Sequence, residues 1–391
     1  MNDIVILSGV RTAIGGFGGA LSDLPPHELG AIVARAAIAR AGIEPARIGT
    51  TVFGNVINTE PKDMYLSRLA AMGAGVPDTT PAMNVNRLCG SGVQAVISAA
   101  LALRAGEADF ALAGGAETMS RAPYAVQTAR FGQKMGDTPM VDMLVGTLSC
   151  PFGTGHMGIT AENVAAEHGI SREDQDAFAL ESQRRAARAI AAGYFADQIV
   201  PVERCTRRGT ESFAQDEHPK ETTAEALAGL KPAFRKDGTV TAGNASGIND
   251  GAAALVLARA EAADRLGLAP VARITGHAIA GVRPEVMGIG PVPAVRQLLT
   301  QTGMHAADFD VIESNEAFAA QAVAVTRALD LDPARVNPNG GAIALGHPVG
   351  ATGSILLVKT INELARIGGK RGLVTMCIGG GQGIALAIEM N

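Results

Sequence analysis

Three segments of this chain place a reactive side chain among small residues, in a pattern suited to acyl transfer. Cys89 precedes a Gly-Ser-Gly sequence, His347 lies in Gly-His-Pro, and Cys377 is followed by an isoleucine and three glycines. Asn315, just past a predicted strand, is a fourth candidate. Glycine lets backbone N–H groups approach a ligand closely. Together these segments could supply a nucleophile, a base, a second thiol and oxyanion donors.

Cys89 is the most informative of these residues, because its turn begins an apolar helical stretch. A helix N-terminus has unpaired N–H groups and a partial positive charge. Both lower the pKa of a nearby thiol, and a glycine-rich turn exposes it. We therefore predict that Cys89 is a reactive thiolate open to a small substrate.

Each candidate taken alone has a simpler interpretation. A single cysteine is commonly a small buried hydrophobic residue, a histidine beside a proline is commonly a loop residue, and Asn315 could cap the next helix. The other two cysteines, Cys150 and Cys205, are assigned to structure. Only the joint occurrence of Cys89, Asn315 and the two later segments favours catalysis.

The glycines after Cys89 also fit a dinucleotide-binding pattern. Residues 90–95 match G-x-G-x-x-A, which requires an acidic residue about 20 positions further on. Residues 113–116 are Ala-Gly-Gly-Ala instead, and no glycine run is followed by Lys-Ser or Lys-Thr. A nicotinamide-dependent oxidoreductase and a P-loop protein are therefore both disfavoured.

Length and composition limit the class of protein. The 391 residues are 47% hydrophobic and 18% charged, which predicts a globular protein of two or three units. The net charge of −5 argues against nucleic acid and anionic membrane partners. The four cysteines form no CxxC pair, so neither a disulfide framework nor a metal site is expected. The stretch 336–358 has no charged residue, but it is rich in glycine and proline, so we expect no membrane span there. No targeting segment is recognised, so a cytoplasmic location is expected.

Hydrophobic periodicity predicts alternating strands and helices at both ends of the chain, and hence a parallel or mixed sheet covered by helices. The predicted strands are Ile4–Leu7, Thr51–Val56, Phe110–Ala113, Val311–Glu313, Val336 and Leu373–Met376. The predicted helices are Glu28–Ala41, Gln94–Arg104, Ala317–Leu329 and Gly353–Ile367.

The middle of the chain differs from both ends. Residues from about 119 to 241 are more charged, and Ser171–Asp174 resembles a capping box that begins a long polar helix. We interpret this region as an inserted, mostly irregular and helical unit that covers the site. On either side of it, a glycine-flanked turn, a buried helix and a strand ending in glycines occur in the same order. Two similar α/β halves with a site at their junction are predicted.

Five segments together resemble the signature segments of the thiolases: residues 86–92, 241–250, 315–319, 337–353 and 377–383. They occur in family order over essentially the whole chain. The resemblance implies the thiolase fold, an α/β arrangement of two duplicated halves in five layers (α-β-α-β-α). It also implies an N-terminal domain at 1–268, interrupted by a loop domain at about 118–247, and a C-terminal domain at 269–391.

The resemblance extends to a branch of the family. The segment His156-Met157-Gly158 resembles the bacterial biosynthetic thiolases, the acetyl-CoA acetyltransferases. Within that branch the chain resembles the broad-range short-chain β-ketothiolases, whose products feed polyhydroxyalkanoate synthesis. The implied reaction joins two acetyl-CoA to give acetoacetyl-CoA and CoA, reversibly, and short 3-ketoacyl-CoA would also be substrates.

The resemblance also implies a role for each reactive residue. Cys89 would carry the acyl group, and His347 would take its proton and help to bind the carbonyl oxygen. Asn315 would hold a water molecule in the same oxyanion site. Cys377 would remove a proton from the methyl group of the second acetyl-CoA, and the N–H groups of Cys89 and Gly379 would form a second oxyanion hole.

No metal or redox cofactor is implied, since coenzyme A thioesters are the substrates. A homotetramer built as a dimer of dimers is expected.

At position 220 the chain has lysine where a typical biosynthetic thiolase has an arginine beside the adenine, so the stacking role of a guanidinium is in doubt. The residues that would line the coenzyme A site are Leu148, His156, Met157, Lys220, Ala245, Ser246, Met287, Ala317 and Phe318.

Three further functions stay open at this point. A degradative 3-ketoacyl-CoA thiolase of fatty-acid oxidation would share the site and differ in chain length. A β-ketoacyl-carrier-protein synthase would pair its cysteine with two histidines, or with a histidine and an asparagine, and would lack Cys377. A non-catalytic acyl- or lipid-binding relative would lack the reactive residues, which are present here.

Overall fold

Nine longer strands and two short ones, Gly15–Gly16 and Ile199–Val200, form the main sheet of the computed structural model, which describes residues 3–207 and 209–391. The longer strands are numbered β1 to β9. In chain order they are β1 (Ile4–Thr12), β2 (Thr50–Gly54), β3 (Ala82–Val85), β4 (Phe110–Thr118), β5 (Asn249–Arg259), β6 (Ala272–Gly281), β7 (Val311–Ser314), β8 (Arg371–Ile378) and β9 (Gln382–Met390). Short strands lie at Gly15–Gly16, Tyr124–Ala125, Val141–Asp142, Ser149–Cys150, Gly155–His156, Ile199–Val200, Val202–Thr206 and Gly209–Phe213.

Eight longer helices pack on this sheet and on the segment between β4 and β5. They are α1 (Pro26–Ala41), α2 (Leu66–Gly73), α3 (Ser91–Arg104), α4 (Met157–His168), α5 (Arg172–Ala191), α6 (Pro291–Thr302), α7 (Ala319–Ala328) and α8 (Thr352–Ile367). Shorter helices lie at Met143–Thr147, Ala224–Ala228, Ala260–Arg265 and Ala342–Leu345.

The predicted duplication is visible in the order of the strands. The sheet runs β7-β8-β9-β6-β1-β5-β4-β2-β3, and its two halves join where β1 pairs with β6. In each half the first strand lies at this junction and the parallel strands lie outermost. Val336 occupies the place of β3 in the second half, but it makes only an isolated parallel bridge to Ile312, not the predicted strand. The predicted mixed sheet and paired α/β halves are thus confirmed.

Helices on and between the two halves complete the five predicted layers. α1 and α2 contact the N-terminal half of the sheet, α6 contacts the C-terminal half, and α3 and α8 lie between the halves and contact each other. The middle layer explains the composition of α3, which is nearly all apolar because the sheet and α8 cover most of its surface. The same holds for β5, in which every residue before Arg259 is buried.

Two glycines allow the central helices to meet closely at their N-terminal ends. A Cβ atom on Gly92 would lie 2.6 Å from the backbone nitrogen of Ser354, and one on Gly353 would lie 2.4 Å from that of Val93. Only residues without a Cβ atom permit this approach. It brings the loop before α3 next to the loop before α8, and these loops carry Cys89 and His347.

Several predicted boundaries need correction. β2 ends at Gly54, two residues before the predicted Val56, and α3 begins three residues earlier than predicted. α7 begins at Ala319 because residues 315–318 are extended: the N–H of Ser246 bonds to the carbonyl of Ala317, and Ala245 forms a bridge with Phe318.

The segment between β4 and β5 is partly helical and contains short two-stranded pairs. Its capping box is present: the N–H of Asp174 donates to Ser171 Oγ (3.0 Å), and the N–H of Ser171 donates to Asp174 Oδ2 (3.3 Å). The short pairs were not predicted: most are formed by two-residue strands, which have no periodicity, and the longest joins Val202–Thr206 to Gly209–Phe213. The predicted domain bounds stay predictions.

Candidate active site

Cys89 lies in a tight turn between β3 and α3, and hydrogen bonds inside the turn fix its position. Ser91 Oγ donates to the carbonyl oxygen of Leu88 (2.6 Å) and accepts from the N–H of Arg87 (2.9 Å). The N–H of Leu88 donates to Asn86 Oδ1 (2.9 Å). Leu88 has a φ of +45°, a left-handed conformation that is unfavourable for a residue with a side chain. The turn thus holds Cys89, a partly exposed residue, in one place.

The pKa of the Cys89 thiol is raised, which contradicts the prediction of a thiolate. Burial of the sulfur raises the pKa to about 11, although the N–H groups of Gly379 and of Cys89 itself hydrogen-bond to it and act in the opposite direction. The cost of desolvating the anion therefore exceeds the gain from the N–H groups. A base has to remove the thiol proton when the substrate arrives.

The hydrogen bonds of His347 place its ring proton on Nδ1 and leave Nε2 as an acceptor. Its Nδ1 lies 2.7 Å from Thr352 Oγ1, which itself donates to the carbonyl oxygen of Pro348 (2.8 Å). Because the hydroxyl has only one proton, it must accept from Nδ1–H, and the ring nitrogen that can accept a proton is Nε2. Burial lowers the pKa of His347 to about 4, so the imidazole is neutral at pH 7.

Asn315 contacts the reactive nitrogen of His347. Its Nδ2 lies 3.4 Å from Nε2, and among the described residues its buried Oδ1 has no hydrogen-bond partner. Asn315 does not cap the next helix, because α7 begins four residues later with Phe318 as its N-cap residue. The amide oxygen can therefore accept one further hydrogen bond beside the imidazole.

Cys377 and Gly379 approach Cys89 from the end of β8. Cys377 is fully buried; burial raises the pKa of its thiol, and the nearby Cys89 adds to the rise. The N–H of Gly379 hydrogen-bonds to the Cys89 sulfur. Cys89 belongs to the N-terminal half and β8 to the C-terminal half, so the two thiols meet at the junction of the halves.

One cavity of about 420 Å³ connects these groups. Cys89, His347, Cys377 and Gly379 line it, while Asn315 reaches it only through its contact with His347. All the residues predicted for the coenzyme A site also line it: Leu148, His156, Met157, Lys220, Ala245, Ser246, Met287, Ala317 and Phe318.

The cavity has a buried apolar part and an exposed polar part. Met157 and Met287 are buried beside Cys377, whereas Lys220 is exposed and marks the mouth. His156 Nδ1 accepts a hydrogen bond from the N–H of Gly158 (3.1 Å), so its proton is on Nε2.

Sequence reasoning missed part of the lining. Phe234 stacks on the His156 ring with centroids 4.7 Å apart, and no sequence spacing links two residues so distant in the chain. His218 could have been found, because it lies two residues before Lys220 in a segment already singled out. The missed lining residues are Val56, Leu88, Met119, Thr147, His218, Ala233, Phe234, Ala242, Gly247, Ile248 and Val349.

No helix in the part of the chain that the structure describes is long and apolar enough to cross a membrane. No group of three or more histidine, cysteine, aspartate or glutamate side chains in residues 3–207 and 209–391 could hold a metal ion.

Comparisons with known proteins agree with this geometry. The family model for the thiolase N-terminal domain matches residues 4–261, and the one for the thiolase C-terminal domain matches residues 268–390. The chain is 57% identical to beta-ketothiolase BktB of Cupriavidus necator over 389 residues, which cover 99% of each chain.

Solved structures show the same similarity. The crystal structure of Bacillus anthracis acetyl-CoA acetyltransferase has a TM-score of 0.97 and 47% identity, covering 100% of this chain and 99% of that one. Human mitochondrial 3-ketoacyl-CoA thiolase has a TM-score of 0.98 and 43% identity, with the same coverage. The chain belongs to the thiolase family and is an acyltransferase. The predicted fold and enzyme class are confirmed.

Proposed function

We propose that this chain catalyses the reversible Claisen condensation of two acetyl-CoA, or of acetyl-CoA with a short acyl-CoA, to a 3-ketoacyl-CoA and CoA. The activity is that of an acetyl-CoA acetyltransferase of the β-ketothiolase type. The observation that carries the proposal is the meeting of Cys89, His347, Cys377 and the Gly379 N–H in one cavity. The names of the similar proteins support it.

In the first half-reaction, Cys89 would take the acyl group from the substrate. His347 Nε2 accepts the thiol proton as the sulfur attacks the thioester carbonyl, and then returns it to the departing CoA thiolate. The N–H groups of Cys89 and Gly379, already directed at the Cys89 sulfur, are placed to bind the carbonyl oxygen of the acyl-enzyme. The free Oδ1 of Asn315 could accept from a water molecule beside His347.

In the second half-reaction, Cys377 would act on a second acetyl-CoA. His347, neutral again, takes the proton of the Cys377 thiol, and the resulting thiolate takes a proton from the methyl group. The carbanion attacks the acyl carbon on Cys89, and the departing Cys89 sulfur receives the proton held by His347. The raised pKa of the Cys377 thiol suits this role, because a thiolate that holds its proton strongly is a stronger base toward carbon.

A His347→Ala variant is expected to slow alkylation of Cys89 by iodoacetamide at pH 7 by on the order of 10²-fold. Without the imidazole, only the small thiolate fraction of a thiol with a pKa of about 11 reacts. In the unaltered protein, alkylation should decline through about pH 4, where His347 becomes protonated and can no longer accept a proton. Equal rates for the two proteins at pH 7 would show that His347 is not the base.

Substrate length separates the short-chain from the degradative function. CoA-dependent cleavage would be measured with acetoacetyl-CoA, 3-ketovaleryl-CoA and a long-chain 3-ketoacyl-CoA, using Cys89→Ala as the blank. We expect cleavage of the two short substrates, because buried methionines close the apolar part of the cavity. Preference for the long chain would assign the protein to fatty-acid degradation, a reading that the fold permits equally well.

Four further features belong to the same proposal: a homotetramer, a cytoplasmic location, a role in polyhydroxyalkanoate synthesis, and no cofactor beyond the coenzyme A substrates. Support for subunit contact comes from the segment between β4 and α4, where Phe131 and Met135 are 93% and 91% exposed. Apolar side chains so exposed commonly mark protein interfaces.

A further inference from the structure

Cys89 and His347 come from different halves of the fold. Cys89 precedes α3 in the N-terminal half, whereas His347 lies in the loop that precedes α8 in the C-terminal half. Proton transfer between them requires that this loop be fixed against the N-terminal half to within a fraction of an ångström. The contacts that fix it are therefore part of the catalytic geometry, and one of them is the N–H of His347, which donates to Asn249 Oδ1 of β5 (2.9 Å).

The buried acidic side chain of Glu117 makes another of these contacts. Glu117, at the end of β4, is fully buried, and its Oε2 accepts the N–H of Gly350 (2.8 Å) and that of Val56 (3.0 Å). Its Oε1 accepts the N–H of Ile57 (3.0 Å) and Nδ2 of Asn55 (3.0 Å). One side chain thus joins the loop after β2 to the loop of His347.

The joined loops form part of the cavity wall. Val56 and Val349 both line the cavity that contains Cys89 and His347. The fit around Gly350 leaves no free space, since a Cβ atom there would lie 2.4 Å from Glu117 Oε2. Movement of the Glu117 carboxylate would therefore move the wall and the loop of His347 with it.

Because of the internal duplication, Glu117 has a corresponding residue in the other half of the fold. Gly54 pairs with Gly115 on the parallel strands of the first half as Ser314 pairs with Thr375 in the second. Two positions beyond Gly115 is Glu117, and two positions beyond Thr375 is Cys377.

The same correspondence holds for the other two reactive positions. Asn55 corresponds to Asn315, since each directly follows its strand, and Gly350 corresponds to Cys89, since each lies two residues before a central helix. Across the junction, Gly350, Asn55 and Glu117 thus correspond to the reactive residues Cys89, Asn315 and Cys377. The hydrogen bonds that Glu117 accepts from Gly350 and Asn55 join the two halves.

We propose that Glu117 is a positioning residue that fixes the His347 loop relative to Cys89, and so acts on proton transfer and not on substrate binding. This inference rests on the base role given to His347 in the proposed function. It assigns Glu117 no contact with the substrate.

The test is Glu117→Gln, which preserves shape. Each carboxylate oxygen accepts two N–H donors, so an amide nitrogen in either place would face two donors and lose both hydrogen bonds. We expect kcat for acetoacetyl-CoA cleavage to fall about 10²-fold, as a displacement of about 1 Å commonly produces. KM should stay within about threefold, and alkylation of Cys89 by iodoacetamide at pH 7 should slow to a similar extent as kcat.

Two other variants make the result specific. Gly350→Ala disturbs the same contact from the opposite side, and its loss of kcat should not add to that of Glu117→Gln in the double variant. Asp63→Asn is the matched control: Asp63 is a buried carboxylate that accepts the N–H groups of Thr59 and Glu60 and does not line the cavity. It should lower the Tm and leave kcat within about twofold.

The possible outcomes are distinct. A folded Glu117→Gln protein with unchanged kcat and alkylation rate would overturn the proposal, as would a loss confined to KM. If this variant does not fold, the kcat and alkylation rate of Gly350→Ala decide in the same way. If the unaltered protein does not cleave acetoacetyl-CoA, the proposed function fails, and the alkylation rates still decide whether Glu117 positions His347.

Discussion

A Cys89→Ala variant is expected to lose turnover in both directions, by on the order of 10⁴-fold or more, while retaining the fold. The acyl group has no other acceptor, because Cys377 lies fully buried at the end of β8 and its thiol has an even higher pKa. The side chain removed is small and partly exposed, so little packing is lost. Turnover would be measured as cleavage of acetoacetyl-CoA. In a second measurement, the mass of the intact protein after incubation with acetyl-CoA would show whether it has been acetylated.

Cys205→Ala is the matched control for this experiment. Cys205 is also a free thiol, but it is exposed on the hairpin formed by residues 202–206 and 209–213. This variant should keep full activity and still acquire one acetyl group. Acetylation of the Cys89→Ala protein, or turnover near that of Cys205→Ala, would assign the nucleophile to another residue.

Much of the fold was predictable from the sequence because the signals repeat. A buried helix flanked by glycines and a strand ending in glycines occur twice, and each half confirms the other. α3 is nearly all apolar, which is typical of a helix that is buried over most of its surface. The strands β3, β5, β6 and β9 and the short strand pairs escaped prediction, and Val336, predicted as a strand, makes only an isolated bridge.

The identity of the reactive residues was predictable, but their protonation was not. The backbone N–H groups of Cys89 and Gly379 lower the pKa, in the direction predicted, yet burial of the sulfur outweighs them. Desolvation depends on what a fold places around a group, and no local motif contains that information. The same reason explains why Glu117 and Phe234 were missed: each acts on a partner that only the tertiary structure brings near.

A Cys377→Ala variant is expected to transfer acetyl groups onto Cys89 and yet to form no carbon–carbon bond. The first half-reaction uses Cys89, His347 and backbone N–H groups, all of which remain. The second requires removal of a methyl proton, and alanine cannot accept one. Condensation should fall at least 10³-fold, within the range that a lost general base produces. Exchange of labelled CoA into acetyl-CoA, which reports acyl transfer alone, should stay within about tenfold.

Cys150→Ala is the matched control for Cys377, because Cys150 is a buried thiol in the same apolar cluster but does not line the cavity. It should retain both exchange and condensation, apart from a small loss of stability. If Cys377→Ala lost exchange as severely as condensation, Cys377 would be needed to shape the site for Cys89. If it retained condensation, the proton would be taken by another group, and His347 would be the first to examine. Exchange without condensation is the one outcome that gives the two cysteines, one from each half of the fold, separate tasks in one reaction.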